Sequence, residues 1–409
     1  MLMGVQFYFL NSMPCKRWIT SEYVAHGHPD KLADFISDSI LQEIYFQDWN
    51  ARTGIETMVK NNTVVLGGEI KTTAKVDYET IVRDVFAKHV IYPENHHLLP
   101  DDIKIINLIG EQSPEISAMV DNETGIIGAG DQGFAVGYAI NETPSYMPLG
   151  VYVAKSLCQR VGGTTYPTRR LGPDAKTQVV VGYDEEGNPE INHILVSVLH
   201  TNQGLEETRK KVYNIINKNH YSMDNEIYDK YFKNGDIIVE VNPYGEWKTG
   251  GPIADCGLTG RKIVVDQYGG YCNVGGGAFS GKDMSKVDRS AAYMARYIAK
   301  NIVASGLCNE AKVVLSYIIG QANPCAFDIE MDTNCELIDD IKIFFYDRQG
   351  IDLTPDGIIS YFGKHFNFPW YAKYGAFGYT DIEAQRLGFV PWELTDLASE
   401  LRYFIEDNQ

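Results

Sequence analysis

Gly275-Gly276-Gly277-Ala278-Phe279-Ser280-Gly281-Lys282-Asp283-Met284-Ser285-Lys286-Val287-Asp288-Arg289 couples a glycine-rich turn to charged residues at the start of a helix. Ser285 is a suitable N-cap with Asp288 three residues on, Ala291, Ala292, Ala295 and Ala299 favour helix, and Gly306 supplies the stop, so the spacing predicts a helix over 285–305. Its unpaired amides and positive dipole end attract anions, and Lys282 and Lys286 add charge. In isolation this motif reads more readily as an ordinary helix entry with solvated lysines, and other segments shift that balance. Gly276 to Lys282 also fits G-x-x-x-x-G-K, but a P-loop places a magnesium-binding hydroxyl next, where this chain has Asp283, which speaks against a P-loop phosphotransferase.

At 409 residues the chain is long enough for two or three core-bearing units. Its net charge of −18 excludes nucleic acid and anionic membrane as natural partners, so a phosphate site needs locally clustered Lys and Arg. Seven cysteines, at 15, 158, 256, 272, 308, 325 and 335, form no C-x-x-C pair and no zinc spacing with the histidines. That predicts free thiols in a reducing compartment, hence a cytoplasmic location. The apolar run Met1 to Leu10 lacks a basic leader, so no cleaved signal peptide is expected, and no stretch is long enough to span a bilayer.

Strand-like patterns occupy 63–70, 103–109, 178–183, 191–199, 237–241, 263–266 and 312–319, and helical ones 31–45, 78–89, 149–160 and 205–217. No sustained strand-helix-strand rhythm is present, so the class is α+β and not a doubly wound parallel sheet. Gly128 to Gly133 matches G-x-G-x-x-G, but Phe134 to Tyr138 alternates like a strand where the dinucleotide fingerprint needs a helix. Those glycines read instead as a close backbone approach to a ligand or a sheet bend, with Asp131 as a polar contact. His28-Pro29-Asp30 matches the co-chaperone tripeptide without the basic helix that precedes it there. Physically it opens a helix, with Pro29 in the first turn and Asp30 complementing the dipole. Asp30, Asp34 and Asp38 then share one face, Asp30 as a candidate metal ligand and the other two as a solvated or supporting acidic stripe.

Taken together, Thr20-Ser21-Glu22, Gly27 to Lys31, Gly67-Gly68-Glu69-Ile70, Gln112-Ser113-Pro114, Gly128 to Gly133, Pro173 to Lys176, Gly251-Pro252, Asp255 to Lys262 and Gly275 to Arg289 resemble the methionine adenosyltransferases in order and content. The resemblance runs from about residue 18 into the C-terminal region. It implies that ATP, L-methionine and water give S-adenosylmethionine, phosphate and diphosphate, through sulfur attack on C5′ and hydrolysis of the expelled tripolyphosphate. A neutral thioether needs no base, so the chemistry calls for cations around a charged leaving group.

By the same resemblance, His28, Lys176, Arg261, Lys262, Lys282 and Lys286 are the catalytic set. ATP contacts extend to Asp131, Asp174, Trp247, Asp255 and Ala278, with the Trp247 indole against adenine. Glu69, Gln112, Asp255, Lys286 and Ile319 match the methionine pocket. Asp30 and Asp288 match magnesium ligands, for two Mg2+ per site, and Glu56 matches the carboxylate of one K+ site. The implied fold has three similar interleaved α+β subdomains in a pseudo-threefold arrangement with mixed or antiparallel sheets: 1–26 with 142–247, 27–118 with 248–290, and 119–141 with 291–409. A homo-oligomer, dimer or tetramer, whose active site takes residues from two chains is also implied. Departures fall in the gate segment between Gln112 and Gly128, at Leu171-Gly172-Pro173 and at Ala254, outside the catalytic set. A non-catalytic ATP-binding regulatory paralogue, the alternative, predicts loss of His28 or a lysine, and all are present.

Overall fold

Each of three β-sheets carries one long helix in this computed structural model, which describes residues 17–89, 98–112, 128–162, 171–200, 203–217, 225–232, 237–333 and 335–408. The first sheet runs β1 (Arg17–Val24), β7 (Leu171–Tyr183), β8 (Pro189–His200), β9 (Ile238–Val241). Ile19, Ser21 and Tyr23 alternate inward along β1, under helix α2 (Leu149–Val161). The second sheet orders β10 (Gly257–Leu258), β2 (Arg52–Lys60), β3 (Thr63–Lys71) and β4 (Lys104–Asn107), with β5 (Gly110–Glu111) also paired to β3. Thr53, Ile55, Thr57 and Val59 of β2 are buried on the side of helix α1 (Pro29–Gln47). The third sheet is β12 (Ala326–Met331), β11 (Glu310–Tyr317), β6 (Gly133–Ile140), under helix α3 (Val287–Ala304). Pairings are antiparallel except β3 with β4 and β5 and β8 with β9, so the class is α+β with antiparallel and mixed sheets.

The alanines of α3 do more than favour helix. A Cβ on Gly137 of β6 would lie 2.0 Å from the carbonyl carbon of Ala295, so sheet and helix meet backbone to backbone where both lack bulk. The outer side of α3 is covered by C-terminal helices, with Trp392 stacked on Tyr293 at 4.0 Å between ring centres and fully buried. Among the described residues no helix is long and apolar enough to cross a membrane.

Several expectations are corrected. Residues 263–266 form turns, not a strand. The helix after the glycine run begins at Val287 with Lys286 as N-cap, because the Asp283 carboxylate takes the Ser285 amide at 2.8 Å and holds Ser285 in the preceding turn. The pattern over 78–89 is an α-helix only to Asp84, then a wider π turn over Val85–His89. Strands β1, β2 and β12 and the helices Pro355–Phe362, Phe368–Tyr374, Asp381–Leu387 and Ala398–Asn408 carry no expectation from the sequence.

Candidate active site

At the start of α1, His28 is the N-cap and its Nδ1 accepts the Asp30 amide at 3.2 Å, which leaves the proton of the neutral ring on Nε2. The ring is buried, and burial together with the charges of Lys176 and Lys262 pushes it down to a pKa of about 3. It is therefore a neutral hydrogen-bond donor at physiological pH. Asp30, also buried, accepts the Leu258 amide at 3.0 Å and the Lys262 ammonium at 2.6 Å, with Arg261 at 3.5 Å. Burial opposes its charge, but these partners hold the carboxyl below the usual range. A Cβ on Gly27 would meet Pro173 at 2.5 Å, so this helix start is pressed against β7, which carries Asp174 and the exposed Lys176.

The glycine run meets the edge of β2. Ile55 donates to the Gly281 carbonyl at 3.0 Å, and a bridge pairs Gly54 with Lys282. Gly281 has φ +80°, and a Cβ there would strike the Ile55 carbonyl oxygen at 1.9 Å, so only glycine fits. Lys282 reaches Asp288 at 2.6 Å, and a Cβ on Gly277 would land 2.0 Å from the Asp288 carboxyl carbon. Gly277 thus keeps room for that carboxylate. Asp283 is buried and bonds the Thr53 amide at 2.7 Å, with Lys286 at 3.3 Å and Arg52 at 3.9 Å. Burial raises its pKa, and the two cations together with the Ser285 and Thr53 hydrogen bonds more than reverse that. The residue that breaks the P-loop pattern is a structural tie to β2, and Arg52 is a nearby cation that no motif marks.

Asp174 accepts the Gly251 amide at 2.7 Å, while its other oxygen is buried without a hydrogen bond among the described residues, and burial raises it to about 7. Trp247 is half-buried four residues before Gly251, its indole bonded to the Thr249 carbonyl at 2.7 Å. Asp255 is exposed, and Ala278 sits against Gly260 in the loop that carries Arg261 and Lys262. Asp131 and Ile319 lie at the β6–β11 end of the third sheet, where the Ala129 amide donates to the Gln321 carbonyl and the Ala129 carbonyl accepts the Gly320 amide, each at 2.8 Å. A Cβ on Gly128 would meet the Gly320 carbonyl oxygen at 2.6 Å, so this glycine packs on the backbone beyond β11.

Glu56, Glu69 and Gln112 belong to the second sheet and its continuation, apart from the His28 cluster. Lys282, Gly54 and Glu69 share one cross-strand row, and Glu56 faces the same side, which is exposed. An apolar row, Leu258–Met58–Val65–Ile106, crosses that open face. Asp34 and Asp38 contradict the solvated stripe: both are fully buried, because cation-bearing loops and Arg289 cover that face of α1. The gate segment lies outside the described residues apart from its ends.

Among the described residues no group of three His, Cys, Asp or Glu forms a self-sufficient metal site. Two separate carboxylates, Asp30 and Asp288, each beside a lysine, fit magnesium that takes its remaining ligands from phosphate oxygens and water. Glu56, exposed and without an ion pair among the described residues, offers one hard oxygen donor to a weakly held monovalent cation.

Cations on glycine turns, single carboxylates and a neutral histidine donor on an α+β scaffold form a site with the chemistry to hold a phosphate-bearing group. Three profiles of one family follow along the chain: the S-adenosylmethionine synthetase N-terminal domain over 16–114, central domain over 126–247 and C-terminal domain over 249–393. The S-adenosylmethionine synthases of Mesoplasma florum and Mycoplasma mycoides are 44% and 40% identical, over 77% and 95% of this chain and 82% and 97% of theirs. A solved S-adenosylmethionine synthetase from Campylobacter jejuni, described as unusual, superimposes with a TM-score of 0.82 at 34% identity, covering 95% of this chain and 99% of that one. The chain belongs to the S-adenosylmethionine synthetase family and is a methionine adenosyltransferase.

Proposed function

We propose that His28, Lys176, Arg261, Lys262, Lys282 and Lys286 carry the adenosyl transfer from ATP to L-methionine by stabilising the tripolyphosphate as it leaves C5′. The thioether sulfur attacks C5′ with its own lone pair, and the C5′–O bond breaks with both electrons on the departing oxygen. His28 donates its Nε2 hydrogen bond to that oxygen without giving up a proton, which suits a ring whose pKa lies near 3. The lysines and arginine bind the chain of phosphates through its departure and the hydrolysis that follows. Asp30 and Asp288 would hold magnesium, which supplies charge neutralisation to the phosphate oxygens when bound, and Glu56 would hold potassium. Asp131, Asp174, Asp255, Trp247 and Ala278 orient the nucleoside, and Glu69, Gln112, Asp255 and Ile319 receive methionine.

The observation that carries this reading is the pair of carboxylate–lysine couples, Asp30–Lys262 and Asp288–Lys282, each at 2.6 Å. Incoming phosphate oxygens can exchange onto these lysines while the carboxylates take up metal. Incubation with ATP, methionine, magnesium and potassium should yield S-adenosylmethionine with equal phosphate and diphosphate; absence of the sulfonium product overturns the reading.

The exposed row Leu258–Met58–Val65–Ile106, beside Glu56 and Glu69, favours a second copy of the chain against this face, so that each site draws on two chains. Mixing inactive Lys282→Met and Glu69→Gln chains should then restore part of the activity, and no restoration counts against a shared site. The three sheet-and-helix units support the interleaved division 1–26 with 142–247, 27–118 with 248–290, and 119–141 with 291–409. Free thiols at Cys158, Cys256, Cys272, Cys308 and Cys325 favour a cytoplasmic location.

A further inference from the structure

Between helix α2 and the C-terminal layer lies a cavity of about 900 Å³ that contains none of the candidate-site residues. Its walls carry the rings of Tyr146, Trp370, Tyr374 and Tyr379, and its charged lining is Lys155, Asp381, Glu383 and Arg386. Trp370 and Tyr374 stand one turn apart on the helix Phe368–Tyr374, with ring centres 4.4 Å apart, and the Trp370 indole donates to the Tyr379 hydroxyl at 2.9 Å. Three rings are thereby fixed relative to one another, as in a pre-formed ligand pocket.

The acids of this lining have partners and the cations lack them. Asp381 accepts the Thr395 amide at 2.7 Å and the Thr395 hydroxyl, and Glu383 accepts the Thr380 amide at 2.9 Å and its hydroxyl at 3.0 Å. Arg386 is exposed and has no hydrogen bond or ion pair among the described residues. Lys155, half-buried, donates to the Phe377 carbonyl at 2.6 Å and stands 4.7 Å over the Tyr379 ring, with no carboxylate in ion-pair reach among the described residues. Burial pushes its pKa down to about 8, against the opposing pull of Glu393 and Glu383. An amine stripped of water, with only a carbonyl and a ring beside it, gains from an anionic partner.

Tyr146 is a second sign of a built site. Its φ of +56° lies in the left-handed region, which is costly for a bulky residue and which glycine or asparagine adopts with less strain. Backbone bonds hold this turn whatever the side chain: the Tyr146 amide donates to the Thr143 carbonyl at 2.9 Å, and its carbonyl accepts the Ile140 amide at 3.2 Å and Arg296 at 3.1 Å. A ring is thus kept on the cavity wall at a position where the backbone alone favours a smaller residue.

We propose that this cavity is a second ligand site, for a small planar aromatic molecule that carries a carboxylate. Its ring lies against the aromatic wall, and its acidic group points toward Lys155 and Arg386. The unpartnered charge of the lining is positive, which favours an acid over an amine. Asp381 and Glu383 line the same space, so one negative charge suits it better than the two of a phosphate.

The probe is naphthalene-2-carboxylate, titrated by calorimetry into the full chain, with neutral 2-naphthylmethanol as the control. One site per chain with a Kd of about 1 mM or tighter is expected for a ligand of this size, and the alcohol should bind roughly tenfold more weakly. Lys155→Met and Arg386→Ala should each weaken binding of the acid by about tenfold. Arg386 is exposed and unpartnered among the described residues, so its variant keeps the fold even if Lys155→Met does not. Tyr146→Gly, which keeps the left-handed turn, should weaken the acid by about fivefold. No saturable binding up to about 10 mM, equal affinity for alcohol and acid, or full affinity in Arg386→Ala overturns the inference. So does binding lost in Lys286→Met but kept in Arg386→Ala, which would place the probe at the candidate site. A change of oligomeric state on Arg386→Ala, read by sedimentation, would make the cavity an interface between copies and overturn it as well. None of these readouts uses adenosyl transfer, so failure here leaves the functional reading untouched.

Discussion

Helix α3 buries cations near both ends, and their partners come from opposite ends of the chain. Arg289, in its first turn, pairs with Asp38 from α1 at 2.8 Å. Arg296 and Lys300, two and three turns on, converge on Glu393 at 3.1 and 2.9 Å. Asp38 also holds the glycine turn, whereas Glu393 holds Gly378, in the C-terminal layer. Burial opposes the charge on Glu393, but two cations keep its carboxyl below the usual range. One helix thus joins a hub wired to the candidate site and a hub wired only to the scaffold, so turnover and stability should separate along its length.

The strongest way to break that contrast is Glu393→Ala, which leaves Arg296 and Lys300 buried without their acid. A loss of about 3–5 kcal/mol is expected in denaturant unfolding, with KM values unchanged in the folded fraction. Lost turnover at full stability would erase the distinction. At the other end, Lys286→Met should cut kcat by about 10²–10³, or roughly 3–4 kcal/mol, with a smaller loss of stability because Asp283 keeps the Thr53 and Ser285 amides and Arg52. A matching fall in stability would make Lys286 a scaffold residue.

Asp174 sharpens the contrast as a buried acid with no ion pair among the described residues. Its folded pKa of about 7 lies above the unfolded value of about 3.9, so its stabilising contribution is full below pH 4 and is lost as pH rises through 7. Compared with Asp174→Asn, which cannot ionise, the wild-type chain should lose up to a few kcal/mol across that window, at about 1.4 kcal/mol per pKa unit. A pH-independent difference in urea unfolding would refute it. The smallest effect belongs to the Thr380–Glu383 capping box beside the Glu393 hub. Thr380→Ala should cost about 1 kcal/mol and leave turnover intact, and lower kcat at unchanged stability would tie this layer to the site.

Chemistry was more legible in the sequence than geometry. The charged motifs identify the family because residue type and order survive without coordinates, and Gly306 shows the left-handed φ, +78°, expected of a helix stop. Local pattern failed where a distant partner decides. Ile263 to Asp266 is β-branched enough for a strand, yet its place is fixed by Lys31 gripping Asp266. Asp34 and Asp38 looked like surface charge because their amide donors lie 226 and 243 residues away. Ser285 lost its capping role to a competing acid two residues earlier. The short C-terminal helices escape periodicity because several have barely two turns, with Pro or Gly at their ends marking boundaries but no face.

The pairing of Asp38 with Arg289 spans 251 residues, which sets a clock on synthesis. At 5–20 residues per second a ribosome needs roughly 13 to 50 seconds between making the acid and making its arginine. Through that interval α1 carries acids whose native donors do not yet exist, and the first strand, β1, waits likewise for β7. The candidate site can therefore close only after most of the chain has emerged, and a chain truncated before Arg289 leaves the Asp38 carboxylate without its cation.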